Sequence, residues 1–369
     1  MSLLSGISDF FGLDIGTTAV RLVELRGGGR FKALVKYAYV PIDSKIVLSD
    51  AKTDQDKLLQ VLRDLLKQAK VATTSVAVNV PSQRVFSTVV DFERLPKDEL
   101  GKSIMYQADS LIPTPVAESK IDWVMLGDSP VDKAKVEVLL SSVPNKFVED
   151  RLDMLESIGL NVIAFEPDNL ALTRALIAPD ASLPQMVLDI GYKTTDLVIS
   201  VNGAPRLTRS IPTGTEAIIR AAMQNLNVDD KQANQFVFKF GLAKDKLEGQ
   251  VYQAILGSID LLTGEIDKSI KFFQTRYNGA AIDRIIVTGG ASTLPEFPLH
   301  IANKFGLNVE IGNAWRNVSF APERQNELLS VSSQFGVAAG LAEREECSNL
   351  TYYQTLNRNL YGLTEPSAR

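Results

Sequence analysis

The hydrophobic pattern along the chain alternates between short apolar runs and longer amphipathic stretches. Runs rich in Val, Ile and Leu predict strands. They lie at 10–15, 19–25, 31–40, 75–80, 186–189, 197–201, 205–211 and 284–288. Apolar residues at helical spacing predict helices at 54–70, 97–110, 145–158 and 328–341. Strands interleaved with helices are typical of an α/β fold.

The region from 83 to 159 follows a pattern of its own, which is strand, helix, strand, strand, helix. We predict that it is an insertion with a separate sheet. Residues 10–82 and 160–180 then form the core of a first lobe, and 185–213 with 284–345 form the core of a second. Residues 214–283 are a mainly helical subdomain, and 346–369 are a tail. A chain of 369 residues is long enough for two such lobes.

A short polar motif follows the first strand, where Asp-Ile-Gly-Thr-Thr occupies 14–18. Gly16 is expected to take a positive φ and let a ligand approach the backbone. A carboxylate at such a turn can hold hydrated Mg²⁺, while hydroxyl and backbone N–H groups face phosphate oxygens. One copy indicates no more than a turn. A second copy, Asp-Ile-Gly-Tyr-Lys-Thr-Thr at 189–195, indicates a duplicated fold whose halves face each other across a cleft.

Composition removes several classes of function. The net charge of −5 argues against broad binding of nucleic acid. Cys347 and His300 are the single cysteine and histidine of the sequence, which excludes a disulfide framework and a Cys/His zinc cluster. The chain has neither an apolar run of about 18 residues nor a signal-peptide pattern. We therefore expect a cytoplasmic protein that reaches a membrane only through partners.

An unusual patch lies inside the predicted insertion, at 106–115 and 121–123. One interpretation is a helix that is stopped by Pro113, with Trp123 in the core. The other is a groove for a peptide, since an apolar, aromatic and proline-stiffened rim beside a sheet suits one. Its residues would be Tyr106, Ile112, Pro113, Asp122 and Trp123.

The order of these motifs resembles that of the actin, heat-shock chaperone and sugar kinase superfamily. The two Asp-Ile-Gly turns resemble its phosphate-1 and phosphate-2 elements, Glu166-Pro167 its connecting element, and Gly289-Gly290-Ala291-Ser292 its adenosine loop. The inserted region looks like the subdomain of the FtsA and PilM branch. Segments 107–115, 121–123 and 335–341 are similar to the PilM family of type IV pilus assembly proteins.

This resemblance implies a two-lobed actin-like fold that binds ATP and Mg²⁺ in its cleft. Asp14 and Asp189 would hold Mg²⁺ through water. The residues at the phosphates would be Gly16, Thr17, Thr18, Arg21, Gly191, Thr194 and Thr195. Those at the ribose and adenosine would be Gly214, Gly289, Gly290 and Ala291. A helix is also predicted to begin at Glu166, with Pro167 in its first turn. Glu166 would position a water near the γ-phosphate, or else its charge would only stabilise the N-terminus of this helix.

Three functions follow as hypotheses. The first, implied by the PilM resemblance, is an adaptor with little or no ATPase activity that binds the cytoplasmic tail of a PilN-like single-span membrane protein. Other pilus platform proteins and a second copy of the chain are further expected partners. The second is a small-molecule kinase, although 83–159 offers no polar sugar pocket. The third is a filament-forming protein like FtsA, although the tail contains Gly and Pro and lacks a basic helical face.

Overall fold

The computed structural model of the protein describes residues 9–27, 31–178 and 180–344. The predicted tail at 346–369 lies outside the described residues. The chain divides into two compact units, one formed by Met1–Ala171 with Leu341–Arg369 and the other by Leu172–Gly340. Residues 172–178, predicted in the first lobe, group with the second unit because Leu172 and Leu176 pack against Gly336 and Gly312.

The secondary structure follows the predicted alternation of strands and helices. The strands are β1 (Phe11–Ile15), β2 (Ala19–Arg26), β3 (Lys32–Pro41), β4 (Ser75–Val80), β5 (Phe86–Glu93), β6 (Ser119–Asp128), β7 (Lys135–Pro144), β8 (Asn161–Pro167), β9 (Gln185–Ile190), β10 (Thr195–Val201), β11 (Ala204–Ile211), β12 (Arg284–Gly289), β13 (Asn308–Ile311) and β14 (Val318–Ser319). The helices are α1 (Ser44–Val47), α2 (Lys52–Ala69), α3 (Lys97–Leu111), α4 (Asn145–Glu156), α5 (Asp168–Leu176), α6 (Thr215–Leu226), α7 (Asp230–Phe240), α8 (Gln250–Arg276), α9 (Phe297–Phe305), α10 (Gln325–Val331) and α11 (Gly336–Ala342). Among the described residues, no helix is both long and apolar enough to cross a bilayer.

The main sheets of the two units share one plan. In the first unit the strand order is β3-β2-β1-β4-β8, and in the second it is β11-β10-β9-β12-β13. In each, the first three strands in chain order pair antiparallel, and the fourth pairs parallel with the first. The fifth strand then pairs parallel with the fourth. The duplication predicted from the repeated motif is thus present in the strand topology.

The inserted region forms its own antiparallel sheet, in the order β5-β7-β6. Helix α3 covers one face of this sheet with buried Leu100, Ile104 and Ala108. Helix α4, which was predicted as part of the same insertion, packs elsewhere. Its Val148 and Leu155 lie in the apolar core beneath the first unit's main sheet. Helix α4, the last helix of the insertion, therefore packs into the core of the first unit.

The helix predicted over 328–341 is broken in the structure, so this prediction was wrong. Its residues fall into α10 and α11, with a short 3-10 turn between them. A side chain from another element engages a carbonyl of this segment, since Thr288 Oγ1 donates to the carbonyl of Ser333. Small residues at helical spacing predicted close packing, but not this competition for carbonyls.

Candidate functional site

The first predicted turn joins β1 to β2 and brings a carboxylate and a guanidinium together. Asp14 and Arg21 are directly opposite each other in the hairpin, with Arg21 Nη1 3.4 Å from Asp14 Oδ2. Both side chains are largely buried. Burial raises the pKa of Asp14, and the nearby Arg21 partly opposes this shift. The turn closes through a bond of 3.1 Å from the N–H of Gly16 to the carbonyl of Ala19.

Gly16 does not have the positive φ that the sequence suggested. A Cβ at this position would lie 3.0 Å from the carbonyl oxygen of Ala19 and 3.2 Å from Arg21 Nη1. A side chain here would therefore push Ala19 or Arg21 away by a few tenths of an ångström, because the turn folds its own backbone and Arg21 against the Cα. Next to it, Thr17 is half-buried and Thr18 is exposed.

Glu166 lies in the strand β8, not in the helix that was predicted to begin there. Helix α5 begins two residues later, at Asp168. The Glu166 side chain is fully buried, and its Oε2 lies 3.6 Å from Arg344 Nη1. The carboxylate thus has a cationic neighbour within its own unit.

The second predicted turn joins β9 to β10 and is closed in the same way as the first. The N–H of Gly191 donates to the carbonyl of Thr194 at 2.9 Å. Thr195 is fully buried, and its hydroxyl donates to the carbonyl of Thr213 at 2.7 Å. The hydroxyl of Thr195 therefore holds the turn to the chain before α6, while that of the half-buried Thr194 lies nearer the surface.

Gly214 fixes helix α6 against this second turn. A Cβ at Gly214 would lie 2.5 Å from the carbonyl oxygen of Tyr192 and 2.6 Å from that of Gly191. The first two N–H groups of α6 donate to the same carbonyls, that of Thr215 to Gly191 at 3.0 Å and that of Glu216 to Tyr192 at 2.9 Å. The turn thus satisfies N–H groups that a helix N-terminus leaves without intrahelical partners.

Gly289 brings the predicted adenosine loop against the residues before the second turn, Asp189 and Ile190. Its φ is +79°, and a Cβ would collide with Asp189 Oδ1 and lie 2.6 Å from the carbonyl oxygen of Ile190. Gly290 is exposed, whereas the Ala291 side chain is buried in the core. The structure therefore gathers the second turn, Gly214 and residues 289–291 in the second unit.

Two features of the second unit were missed by the sequence reasoning. Asp196 is directly opposite Asp189 across β9 and β10, and burial raises its pKa to about 6, against a hydrogen bond from Ser210. Lys193 Nζ also forms an ion pair with Glu216 Oε1. Alternation along β10 could have identified Asp196 in the sequence. It is next to the buried Leu197 and therefore lies on the other face of the strand.

The patch predicted as a peptide groove does not form one surface. Tyr106 is 90% exposed on α3, and Pro113 is exposed. Ile112 is buried in the core of the insertion, and Trp123 packs against that core. Asp122 is fully buried. It lies on the other face of the sheet from Trp123, since successive strand residues point to opposite faces.

Asp122 is a buried carboxyl group with a raised pKa. Its Oδ1 accepts a bond of 2.8 Å from the N–H of Trp123, and Oδ2 has no hydrogen-bond partner. Burial raises the pKa of Asp122 to about 8, and the bond from Trp123 only partly opposes this. The folded protein thus keeps a proton on Asp122 at a pH where the unfolded chain has lost it.

The raised pKa of Asp122 predicts how the stability of the protein depends on pH. Because the folded-state pKa is raised, the contribution of Asp122 to stability falls as pH rises from about 4 to about 8. Asp122→Asn removes the titration, so we expect the variant to gain stability over the wild type as pH rises through this window. Urea unfolding at pH 5 and pH 8 measures the difference. Asp128→Asn, an exposed aspartate of the same strand, is the control, and an Asp122→Asn difference that does not change with pH would contradict the assignment.

Comparisons with known proteins agree with this fold. The family model described as Type IV pilus assembly protein PilM matches residues 12–346. A solved structure titled PilM-PilN type IV pilus biogenesis complex is 24% identical, covers 91% of this chain and 98% of its own, and has a TM-score of 0.78. Ethanolamine utilization protein EutJ from Carboxydothermus hydrogenoformans has a TM-score of 0.55 at 15% identity, covering 92% of this chain and 90% of its own.

MreB5 of Spiroplasma citri, solved bound to AMPPNP, has a TM-score of 0.53 at 13% identity and covers 91% of this chain and 95% of its own. These proteins share the actin-like α/β fold, so the predicted fold class is confirmed.

Proposed function

The chain belongs to the PilM family of type IV pilus assembly proteins, and we propose that it acts as a nucleotide-binding adaptor for the tail of a PilN-like membrane protein. The nucleotide proposed is ATP with Mg²⁺. The observation that carries this part is that both main sheets begin with the same hairpin, whose first strand ends in Asp-Ile-Gly.

The residues of the two turns fit Mg²⁺ and phosphate in their chemistry. Asp14 and Asp189 supply the hard oxygen acceptors to which the water shell of Mg²⁺ hydrogen-bonds. The space that a Cβ would fill is taken up at Gly16 by the carbonyl of Ala19 and the guanidinium of Arg21, and at Gly289 by the carboxylate of Asp189 and the carbonyl of Ile190. When bound, Mg²⁺ neutralises phosphate charge. The protein's share is to hold the carboxylates and the turn N–H groups in place.

Arg21 takes part in the same proposal. It lies beside Asp14, and its planar guanidinium can donate to phosphate oxygens in a bidentate manner. Glu166 is proposed for water positioning on the resemblance alone. Its buried ion pair with Arg344 supports the expectation of little or no ATP hydrolysis.

Calorimetric titration of Mg·ATP into the full chain tests the nucleotide proposal. We expect saturable heat at one site per chain, and a smaller heat when EDTA replaces Mg²⁺. Absence of heat at millimolar ATP would contradict the proposal. The same titration with GTP in place of ATP tests whether the site selects adenine.

The partner proposal is supported by family membership and by the insertion's surface. Helix α3 presents Tyr106 at 90% exposure with Met105 beside it at 45%, which is a small apolar patch on the insertion. Contiguous exposed apolar surface is typical of protein interaction sites. Recruitment to the inner face of the cytoplasmic membrane would then occur through the partner.

Capture by an immobilised cytoplasmic tail of a PilN-like protein tests the adaptor role. We expect Tyr106→Ala to reduce capture about tenfold, because exposed aromatic anchors carry much of an interface's binding energy. Phe272→Ala, at an exposed aromatic of the second unit, is the control and should bind normally. No capture of the wild type would contradict the adaptor, whereas capture that ignores Tyr106 would place the tail elsewhere.

A further inference from the structure

A buried amide side chain lies next to the first turn and belongs to neither predicted site. Asn79 is the penultimate residue of β4 and is 4% exposed. The parallel pairing of β1 with β4 reaches only Leu13 and Val78. Beyond it, the N–H of Ile15 donates to Asn79 Oδ1 at 2.8 Å. A side chain thus supplies the acceptor that the strand ladder no longer provides, one residue before Gly16.

The other end of the same amide reaches a different element. Asn79 Nδ2 donates to Asp168 Oδ1 at 3.0 Å. Asp168 is the first residue of α5 and directly follows β8, where Glu166 is the backbone partner of Asn79. The orientation of the amide follows from its partners, because a backbone N–H can only donate and an ionised carboxylate can only accept.

We propose that Asn79 is a positioning residue for nucleotide binding, which holds the backbone of the first turn and ties it to the start of α5. The role rests on the proposed function. Phosphate recognition by a turn depends on where its N–H groups point, so an anchor one residue before Gly16 sets their geometry. The Asn79 side chain is buried, so its bond to the N–H of Ile15 is shielded from water, while the partner of its other bond, Asp168, is half-buried.

A reciprocal exchange of side chains tests this role. Asn79→Asp keeps an acceptor for Ile15 but turns a second carboxylate oxygen toward Asp168, so the two negative charges repel. We expect its affinity for Mg·ATP to fall about tenfold or more. In the double variant Asn79→Asp with Asp168→Asn, the new amide can donate to the new carboxylate, and the affinity should return close to that of the wild type.

The control is Asn161→Asp, at the far end of the same strand pair, where Asn161 Nδ2 donates to Ser75 Oγ at 3.3 Å. It should leave the affinity for Mg·ATP unchanged. The melting temperature of every variant is recorded beside its affinity. If Asn79→Asp does not fold, the double variant and Asp168→Asn carry the comparison.

The outcomes distinguish a positioning role of Asn79 from a purely structural role. Recovery of both stability and affinity in the double variant supports it. Recovery of stability without affinity would make Asn79 a purely structural residue and overturn the proposal, as would wild-type affinity in Asn79→Asp. A wild-type protein that binds no Mg·ATP would instead remove the proposed function itself.

Discussion

Gly289→Ala is expected to destabilise the second unit by about 3 kcal/mol or more and to abolish nucleotide binding by that unit's turn. The residue has a φ of +79°, which strains any side chain. A Cβ would also collide with Asp189 Oδ1 and approach the carbonyl of Ile190 to 2.6 Å. To relieve this collision, either the loop at 289–291 or the carboxylate of Asp189, which the proposed site needs, would have to move.

The next residue provides a matched control. Gly290 is exposed, and a Cβ there would meet only the carbonyl of Ile190, at an ordinary 3.9 Å. We expect Gly290→Ala to change stability by no more than about 0.5 kcal/mol. Urea unfolding followed by circular dichroism measures both variants. Equal stability of the two would show that the loop can shift freely and that Gly289 does not set the position of Asp189.

The strand topology was the part of the fold most accessible from sequence. The repeated Asp-Ile-Gly motif predicted a duplication, and both sheets have the same order and pairing. This succeeded because buried central strands are continuous apolar runs that end in recognisable turns. The actin-like class then followed from the order of the motifs.

Features that depend on contacts between strands were harder to predict. Gly16 was singled out because glycine can take a positive φ, but in the structure the atoms that crowd it are the carbonyl of Ala19 and the side chain of Arg21. Glu166 was expected at a helix start, but pairing with Asn79 keeps it in β8. The residue types at 16 and 166 do not reveal either constraint, since the deciding atoms come from a neighbouring strand.

The partner patch illustrates the same limit. Asp122 and Trp123 are adjacent in sequence and were assigned to one groove, although strand alternation places them on opposite faces. Trp123 packs against the core under α3, as the alternative interpretation had it, and Ile112 is buried in that core as well. Of the five residues, Tyr106 and Pro113 are exposed. The partner site therefore stays a prediction, which the capture experiment with Tyr106→Ala addresses.

Asp14→Asn is expected to weaken Mg·ATP binding by at least about tenfold, the second large effect. The change preserves shape but removes the charge that holds hydrated Mg²⁺. Binding should depend less on Mg²⁺ in the variant than in the wild type. Since burial raises the pKa of Asp14, wild-type affinity should also fall on acidification before an ordinary aspartate would be protonated, and the variant should lack this dependence.

Glu24→Gln separates the role of the Asp14 carboxylate from the general cost of changing a buried acid in the hairpin. Glu24 is also buried in β2, but it pairs with Phe11 at the far end of β1 and accepts from the N–H of Ala72. We expect Glu24→Gln to alter stability without altering affinity for Mg·ATP. Calorimetry of both variants, with Mg²⁺ and with EDTA, gives the comparison. If Asp14→Asn binds Mg·ATP as tightly as Glu24→Gln does, the first turn does not bind the metal, and its buried acid serves only to pair with Arg21.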